Sequence, residues 1–437
     1  MAPSSASAPR SAADALEDAL AQYDRTEAQI HAFAWLDAER ARRRARELDA
    51  LPLDRRGPLW GMVVGVKDIV DTAGIPTECS SALFAGRVPG TSATVVRRLE
   101  AAGALIIGKT VTTECAYFHP GPTRNPWNPA RTPGGSSMGS AAGVAAGVMP
   151  AAVGSQTNGS IIRPAAYCGV IGFKPTFARL PVDGVMPFSP TLDTLGPLAR
   201  SIREAALVAA VMAGEPIDAW WSDSRGPEQN GTRPRLAVAR TADWPHAEPA
   251  MRERFERDVA ALANAGADVT EPRLPAGLEE CLPTHRTIMQ FEAHQTFGER
   301  GEREPEKFSA TLLDYVRGGG AISRANYDGA VAVRARLIES LSAWSRQFDA
   351  LLTPPTTGEA PTPETTGDPR FCTRWTFTRT PAVTLPTGLG PAGLPLGLQL
   401  AGTPDDDARL LRTAAWAEAR LTAPRWSLDR LAAGVNA

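Results

Sequence analysis

Two short stretches of this 437-residue chain concentrate residues that could carry nucleophilic chemistry: 133–140 (PGGSSMGS) and 154–160 (GSQTNGS). Each mixes serine hydroxyls with glycines, which let a backbone approach a ligand and leave amide N–H groups pointing at it. A serine hydroxyl is a poor nucleophile until a neighbour takes its proton, so a base is required. The histidines His31, His119, His246, His285 and His294 are scattered, and His119 alone is near these stretches in sequence. Lysine is the other candidate. Of the 46 basic residues only four are lysine, namely Lys67, Lys109, Lys174 and Lys307. A coding bias toward arginine accounts for the excess, and a lysine kept against it marks a place where a guanidinium does not serve. A side chain that must lose its proton is one such place, because arginine stays charged while a buried lysine can become neutral. Packing and hydrogen bonding are others. Three of the four fall between positions 67 and 174, the interval that holds both Gly/Ser stretches. Serine–lysine pairs are known variants of the serine triad. A phosphate cradle is the competing reading, but neither stretch matches GxxxxGK[ST] or GxGxxG, and no acidic residue stands at the ribose distance.

These stretches need a scaffold. An apolar run at 59–66 predicts a buried strand, 91–102 a capped helix ending at Gly103, and 104–107 a second strand. Strand, helix and strand with short joins imply a parallel pair with a helical crossover. Residues 12–50 predict two helices, 140–149 a helix of small residues, 151–155 and 166–173 strands, and 202–213 a helix. A strand at 235–239, a helix at 248–265 and a strand at 268–271 follow, with helices through much of 277–346. Strands near 350–353, 382–385 and 396–401 precede a last helix at 406–420. The alternation predicts an α/β protein with one large sheet covered by helices on both faces, and 270–346 as a helical insertion or cap.

Composition narrows the function classes. Apolar residues make up 43% and charged residues 22%, which is globular and not disordered. The formal net charge of −2 argues against nucleic acid as a partner. Five cysteines with no CxxC pair exclude a disulfide scaffold and a zinc ribbon, and no metal site is expected. Residues 1–10 (MAPSSASAPR) read as a disordered tail ahead of a single domain at 11–437, and no run is long and apolar enough for a membrane span. A cytoplasmic protein is expected.

The motif residues resemble those of the amidase signature family. The resemblance rests on Gly65-Val-Lys67-Asp68, Gly134-Gly135-Ser136-Ser137 with Ser140, and Gly154 to Thr157-Asn-Gly-Ser160-Ile-Ile-Arg163-Pro164. It continues through Gly172-Phe-Lys174-Pro-Thr176 and Leu192-Asp193-Thr194 with Gly196-Pro197, so that it runs from about residue 58 to 214, and resumes at 351–354 and 393–402. It implies a single α/β/α sandwich around a large mixed sheet. It implies Ser160 as nucleophile, Lys67 as base, and Ser136, 24 positions before Ser160, as the bridging serine that the family holds on a cis peptide bond. The backbone amides of Thr157, Asn158, Gly159 and Ser160 match the family's oxyanion hole, and no cofactor is implied. Two departures stand out: Met138 and Asn158 replace the usual glycines. Asparagine tolerates left-handed dihedrals, which would let the Asn158 backbone keep its place. Lys109 and Lys174 read as structural and Lys307 as a surface residue.

Arg163 stands three residues after the nucleophile in the pattern S-x-x-R-P, seen in family members that act on small acidic amides. Its guanidinium either binds a substrate carboxylate or braces the loop through a buried ion pair. Tyr117, Phe118, Trp127, Phe188, Trp375 and Phe377 flank these motifs and could line an acyl pocket. The expected reaction is hydrolysis of a C–N amide bond in a small or aryl amide, with carbamates and anilides chemically equivalent. The expected partners are that small molecule and water, and the expected state is a monomer or homodimer. Two other readings stand beside it: the amidase (glutaminase) subunit of a glutamine-dependent tRNA amidotransferase, and a non-catalytic binding protein on the same fold.

Overall fold

A computed structural model describes residues 11–221, 233–424 and 426–428; the tail expected at 1–10 lies outside them. Among the described residues eleven strands form one sheet: β1 (Phe33–Leu36), β2 (Val63–Lys67), β3 (Leu105–Thr110), β4 (Ala151–Gln156), β5 (Ile171–Lys174), β6 (Thr194–Ala199), β7 (Arg235–Val238), β8 (Asp268–Thr270), β9 (Ala350–Thr353), β10 (Ala382–Leu389) and β11 (Pro395–Ala401). Their order is β1-β3-β2-β4-β6-β5-β10-β11-β9-β7-β8. The pairs β2–β3 and β2–β4 near one end and β7–β9 and β7–β8 at the other are parallel and the rest antiparallel, which makes the sheet mixed. Every residue of β2, β4, β5, β6, β9 and β11 is buried, as expected for strands covered on both faces.

Among the described residues twelve α-helices flank the sheet: α1 (Ala12–Ile30), α2 (Ala38–Asp49), α3 (Thr94–Ala101), α4 (Met138–Ala145), α5 (Ile162–Cys168), α6 (Ile202–Ala213), α7 (Pro249–Asn264), α8 (Cys281–Arg303), α9 (Ala310–Gly319), α10 (Arg324–Ser345), α11 (Arg370–Phe377) and α12 (Asp407–Glu418). The helix at 202–213 forms where expected because both end signals are present. Ser201 caps its start by accepting from Glu204 N, and Gly214 closes it in the left-handed region. The helical stretch expected within 277–346 is α8 to α10.

The structure departs from the expected elements in three places. The region 12–50 holds two helices with the edge strand β1 between them, which pairs antiparallel with β3. Residues 166–173 do not form one strand: α5 runs to Cys168, Gly169 caps it at φ 68°, and β5 starts at Ile171. An apolar run buried on every side has no periodicity to separate helix from strand. The strand β6 and the helix α11 were not expected at all.

Candidate active site

The site lies beyond the carboxyl ends of the neighbouring parallel strands β2 and β4, where α/β sheets usually place their ligands. Lys67 is the last residue of β2, and Gln156 the last of β4, so the 157–160 loop leaves the sheet beside the lysine. The second serine loop turns into α4 from the other side. Gly134 must be glycine there: its φ is 80°, and a Cβ would lie 2.8 Å from Pro164 Cα. The Gly135–Ser136 peptide is cis. Ser137 ties the two loops together, its N–H donating to Ser160 O at 3.3 Å and its hydroxyl sharing contacts with Ser155 N and O, each 3.2 Å.

Lys67 Nζ, fully buried, lies 2.6 Å from Ser136 Oγ and 2.8 Å from Ser155 Oγ. It makes no ion pair among the described residues. Burial drives its amine well below the ordinary lysine value, and the charge of Asp193 opposes that only in part. Ser136 and Ser160 line one pocket of about 300 Å³, counting its space open to solvent, with Thr157, Asn158 and Arg163. The structure thus joins Lys67 to Ser136 directly and brings Ser160 to the same cavity. Chemically this is a buried amine, its affinity for a proton lowered by burial, in contact with a hydroxyl and beside a second hydroxyl.

Asp193, just ahead of β6, takes the Thr157 hydroxyl at 2.5 Å on one oxygen and the N–H groups of Phe188 and Ser189 at 2.8 and 3.0 Å on the other. Burial pushes its carboxyl up to about 6. His285, on α8, meets Thr157 O at 2.9 Å. Asn158 does not use its left-handed tolerance, since it is not among the residues with positive φ. Its Oδ1 instead accepts from Thr373 Oγ1 at 2.6 Å, and its side chain borders the pocket. Met138 is buried, with its sulfur accepting from Gly121 N.

Arg163 is 2% exposed, and its Nη2 donates to Gly135 O at 2.8 Å and Thr366 Oγ1 at 3.2 Å. Its Nε and Nη1 have no hydrogen-bond partner, and no carboxylate pairs with it among the described residues. The buried ion pair weighed above is therefore not formed. The guanidinium sits 5.3 Å from the Phe118 ring centroid and borders the pocket. Of the six aromatic residues considered, Tyr117, Phe118 and Phe188 line the cavity. Trp127, Trp375 and Phe377 are core side chains. A second cavity of about 820 Å³, counting its open mouth, shares Tyr117, Phe118 and Asn158 with the first and is bordered by His285, Arg286 and Arg370.

The other lysines have different surroundings. Lys109 donates to Val70 O at 2.5 Å and Thr77 Oγ1 at 2.7 Å and lies 3.5 Å from Asp68. Lys174 donates to Pro175 O at 2.8 Å, and Lys307 pairs with Glu304 on the surface. Sequence reasoning missed Ser155, Asp193 and His285. Ser155 and Asp193 stand inside quoted motifs, but His285 is 128 positions from its partner and carried no signal.

The Amidase family profile matches residues 14–411. The A-subunit of the glutamyl-tRNA(Gln) amidotransferase of Acidothermus cellulolyticus is 35% identical over 89% of this chain and 87% of its own length. A crystal structure of an amidase superposes with TM-score 0.84 at 32% identity, covering 94% of this chain and 96% of that one. The peptide amidase of Stenotrophomonas maltophilia superposes with TM-score 0.79 at 28% identity, covering 95% and 94%.

Proposed function

The chain belongs to the amidase family and is an amide-hydrolysing enzyme, and on that premise we propose that its substrate is a small amide bearing a carboxylate, glutamine first among them. The observation that carries this reading is Arg163: a buried guanidinium on the pocket wall with two nitrogens lacking hydrogen-bond partners and no carboxylate paired to it. An unpaired buried charge is costly, and a substrate carboxylate would supply the missing acceptors. Glutamine carries both the amide and the carboxylate, and the amidotransferase relatives favour it. In that case partner subunits receive the released ammonia. A second reading, stand-alone hydrolysis of an aryl or apolar amide or carbamate, is favoured by Tyr117, Phe118 and Phe188 on the pocket wall.

Both readings share one mechanism. Neutral Lys67 takes the Ser136 proton as Ser136 takes that of Ser160, whose oxygen attacks the carbonyl. The amides of Thr157, Asn158, Gly159 and Ser160 face the oxygen that becomes negative. The lysine returns the proton to the leaving amine, and water then cleaves the acyl-enzyme. The five cysteines are free and buried, which suits the cytoplasm. No helix among the described residues is long and apolar enough to cross a membrane.

The test is a screen of matched neutral and carboxylate-bearing amides, glutamine included, with and without amidotransferase partner subunits. Loss of the charge-assisted contacts in Arg163→Met should raise KM for the anionic member of a pair roughly 100-fold and leave the neutral one within about twofold. An equal rise for both members rejects carboxylate recognition. Glutamine turnover only with partners present selects the amidotransferase form.

A further inference from the structure

We infer that His285 and Thr376 are positioning residues for the reaction: each grips, by its carbonyl oxygen, a peptide unit whose N–H faces the developing oxyanion. The inference rests on the roles proposed above for Ser160 and the 157–160 amides. In a trans peptide the C=O of one residue and the N–H of the next lie in one plane and point in opposite directions. Holding the oxygen from behind therefore fixes the aim of the hydrogen in front.

Four consecutive units of the loop are held by their oxygens; the first three carry the N–H groups of Asn158, Gly159 and Ser160, and the fourth carries Ile161 N–H, which donates to Gln156 Oε1. Thr157 O, opposite Asn158 N–H, lies 2.9 Å from His285 Nε2. A carbonyl only accepts, so Nε2 carries the hydrogen and the ring is committed to one tautomer. Asn158 O, opposite Gly159 N–H, accepts from Thr376 Oγ1 at 2.6 Å. Gly159 O accepts from Arg163 N at 2.9 Å, and Ser160 O from Ser137 N at 3.3 Å. The last two holds are backbone contacts within the serine loops. The first two come from α8 and α11, which lie 128 and 218 positions away in the chain.

Thr376 has no freedom to turn elsewhere. Its oxygen accepts from Gln156 Nε2 at 2.9 Å, so its one hydrogen is left for Asn158 O. Gln156 in turn accepts from Ile161 N and Ile162 N at 2.8 and 3.0 Å, which locks the far end of the same loop. Thr157 is held twice, since its hydroxyl is also bound by Asp193. Burial drives the His285 imidazole down to about 4, so the ring is a neutral donor at neutral pH.

The test uses a fluorophosphonate probe, because phosphonylation of Ser160 also sends an oxygen toward these amides and needs no knowledge of the substrate. The variants are Thr376→Val and His285→Leu, which remove the grip, and Thr376→Ser and His285→Gln, which keep a donor. The maximal labelling rate should fall roughly 10- to 100-fold in each of the first pair, with the probe's saturation constant within about twofold. The second pair should recover to within about threefold of the parent. The two positions are probed independently, so a variant that fails to fold at one leaves the other decisive. Unchanged maximal rates in the first pair, or no recovery in the second, overturn the inference while the Ser160 assignment stands. Labelling that persists in Ser160→Ala overturns that assignment instead.

Discussion

Lys67 and Lys109 stand at the ends of two adjacent parallel strands, one step apart in register: Val66 pairs with Lys109, and Lys67 with Thr110. Both are fully buried, yet their surroundings are opposite. Lys109 faces a carbonyl, a threonine hydroxyl and the Asp68 carboxylate. Burial lowers it to about 8, with Asp68 pulling the other way. Lys67 touches two serine hydroxyls and no carboxylate, and the carboxylate that acts on it, Asp193, is already engaged by Thr157, Phe188 and Ser189. Both lysines meet a hydroxyl, but that of Thr77 gives its hydrogen to Ile75 O, and the Asp68 carboxylate beside Lys109 favours the charged amine. Burial alone therefore does not make a lysine a base; the groups it meets decide whether it holds the fold or moves a proton.

The sharpest way to break this comparison is to exchange the two losses. Lys67→Met or Ser160→Ala should lower kcat by roughly 10⁴-fold or more, since members of a catalytic unit fail together, while thermal unfolding stays near the parent's. Lys67→Arg should be equally inactive, because a guanidinium keeps its proton. Lys109→Met should do the reverse, leaving Asp68 buried without its cation. Denaturant unfolding should show a loss of about 3 kcal/mol, with kcat per folded molecule retained. A Lys109→Met enzyme that is stable but inactive would collapse the distinction.

The smallest effect concerns pH. Activity should rise with pH as Lys67 loses its proton, on a limb centred well below 10.5. The Asp193 carboxylate favours the lysine's charged form, so Asp193→Asn should move that limb to lower pH. A shift to higher pH in the pH–rate profile would contradict the electrostatic picture of the site.

The three proposed catalytic residues were legible because they fall in dense local motifs, and Gly/Ser spacing survives as a pattern in the chain. The supports were not. His285 and Thr376 reach the loop from helices 128 and 218 positions away, and only the fold makes them neighbours. Ser155 was within the motif, but its contact with Lys67 depends on β4 lying beside β2, which spacing cannot state. The role of Arg163 turned on an absence, a missing carboxylate, that no single sequence displays. Among the elements, β1 was lost because four residues between two strong helices offer little alternation to read. Residues 166–173 misled for the opposite reason, being apolar on all sides.

The four-lysine composition permits a direct measurement. With ¹⁵N-lysine labelling, the ζ-nitrogens give four signals, and the one lost in Lys67→Arg belongs to Lys67. At a pH well below the ordinary lysine range that signal should already show a neutral amine. A Lys67 nitrogen that stays charged until pH 10 or above would leave Ser136 and Ser160 without a proton acceptor and contradict the proposed chemistry.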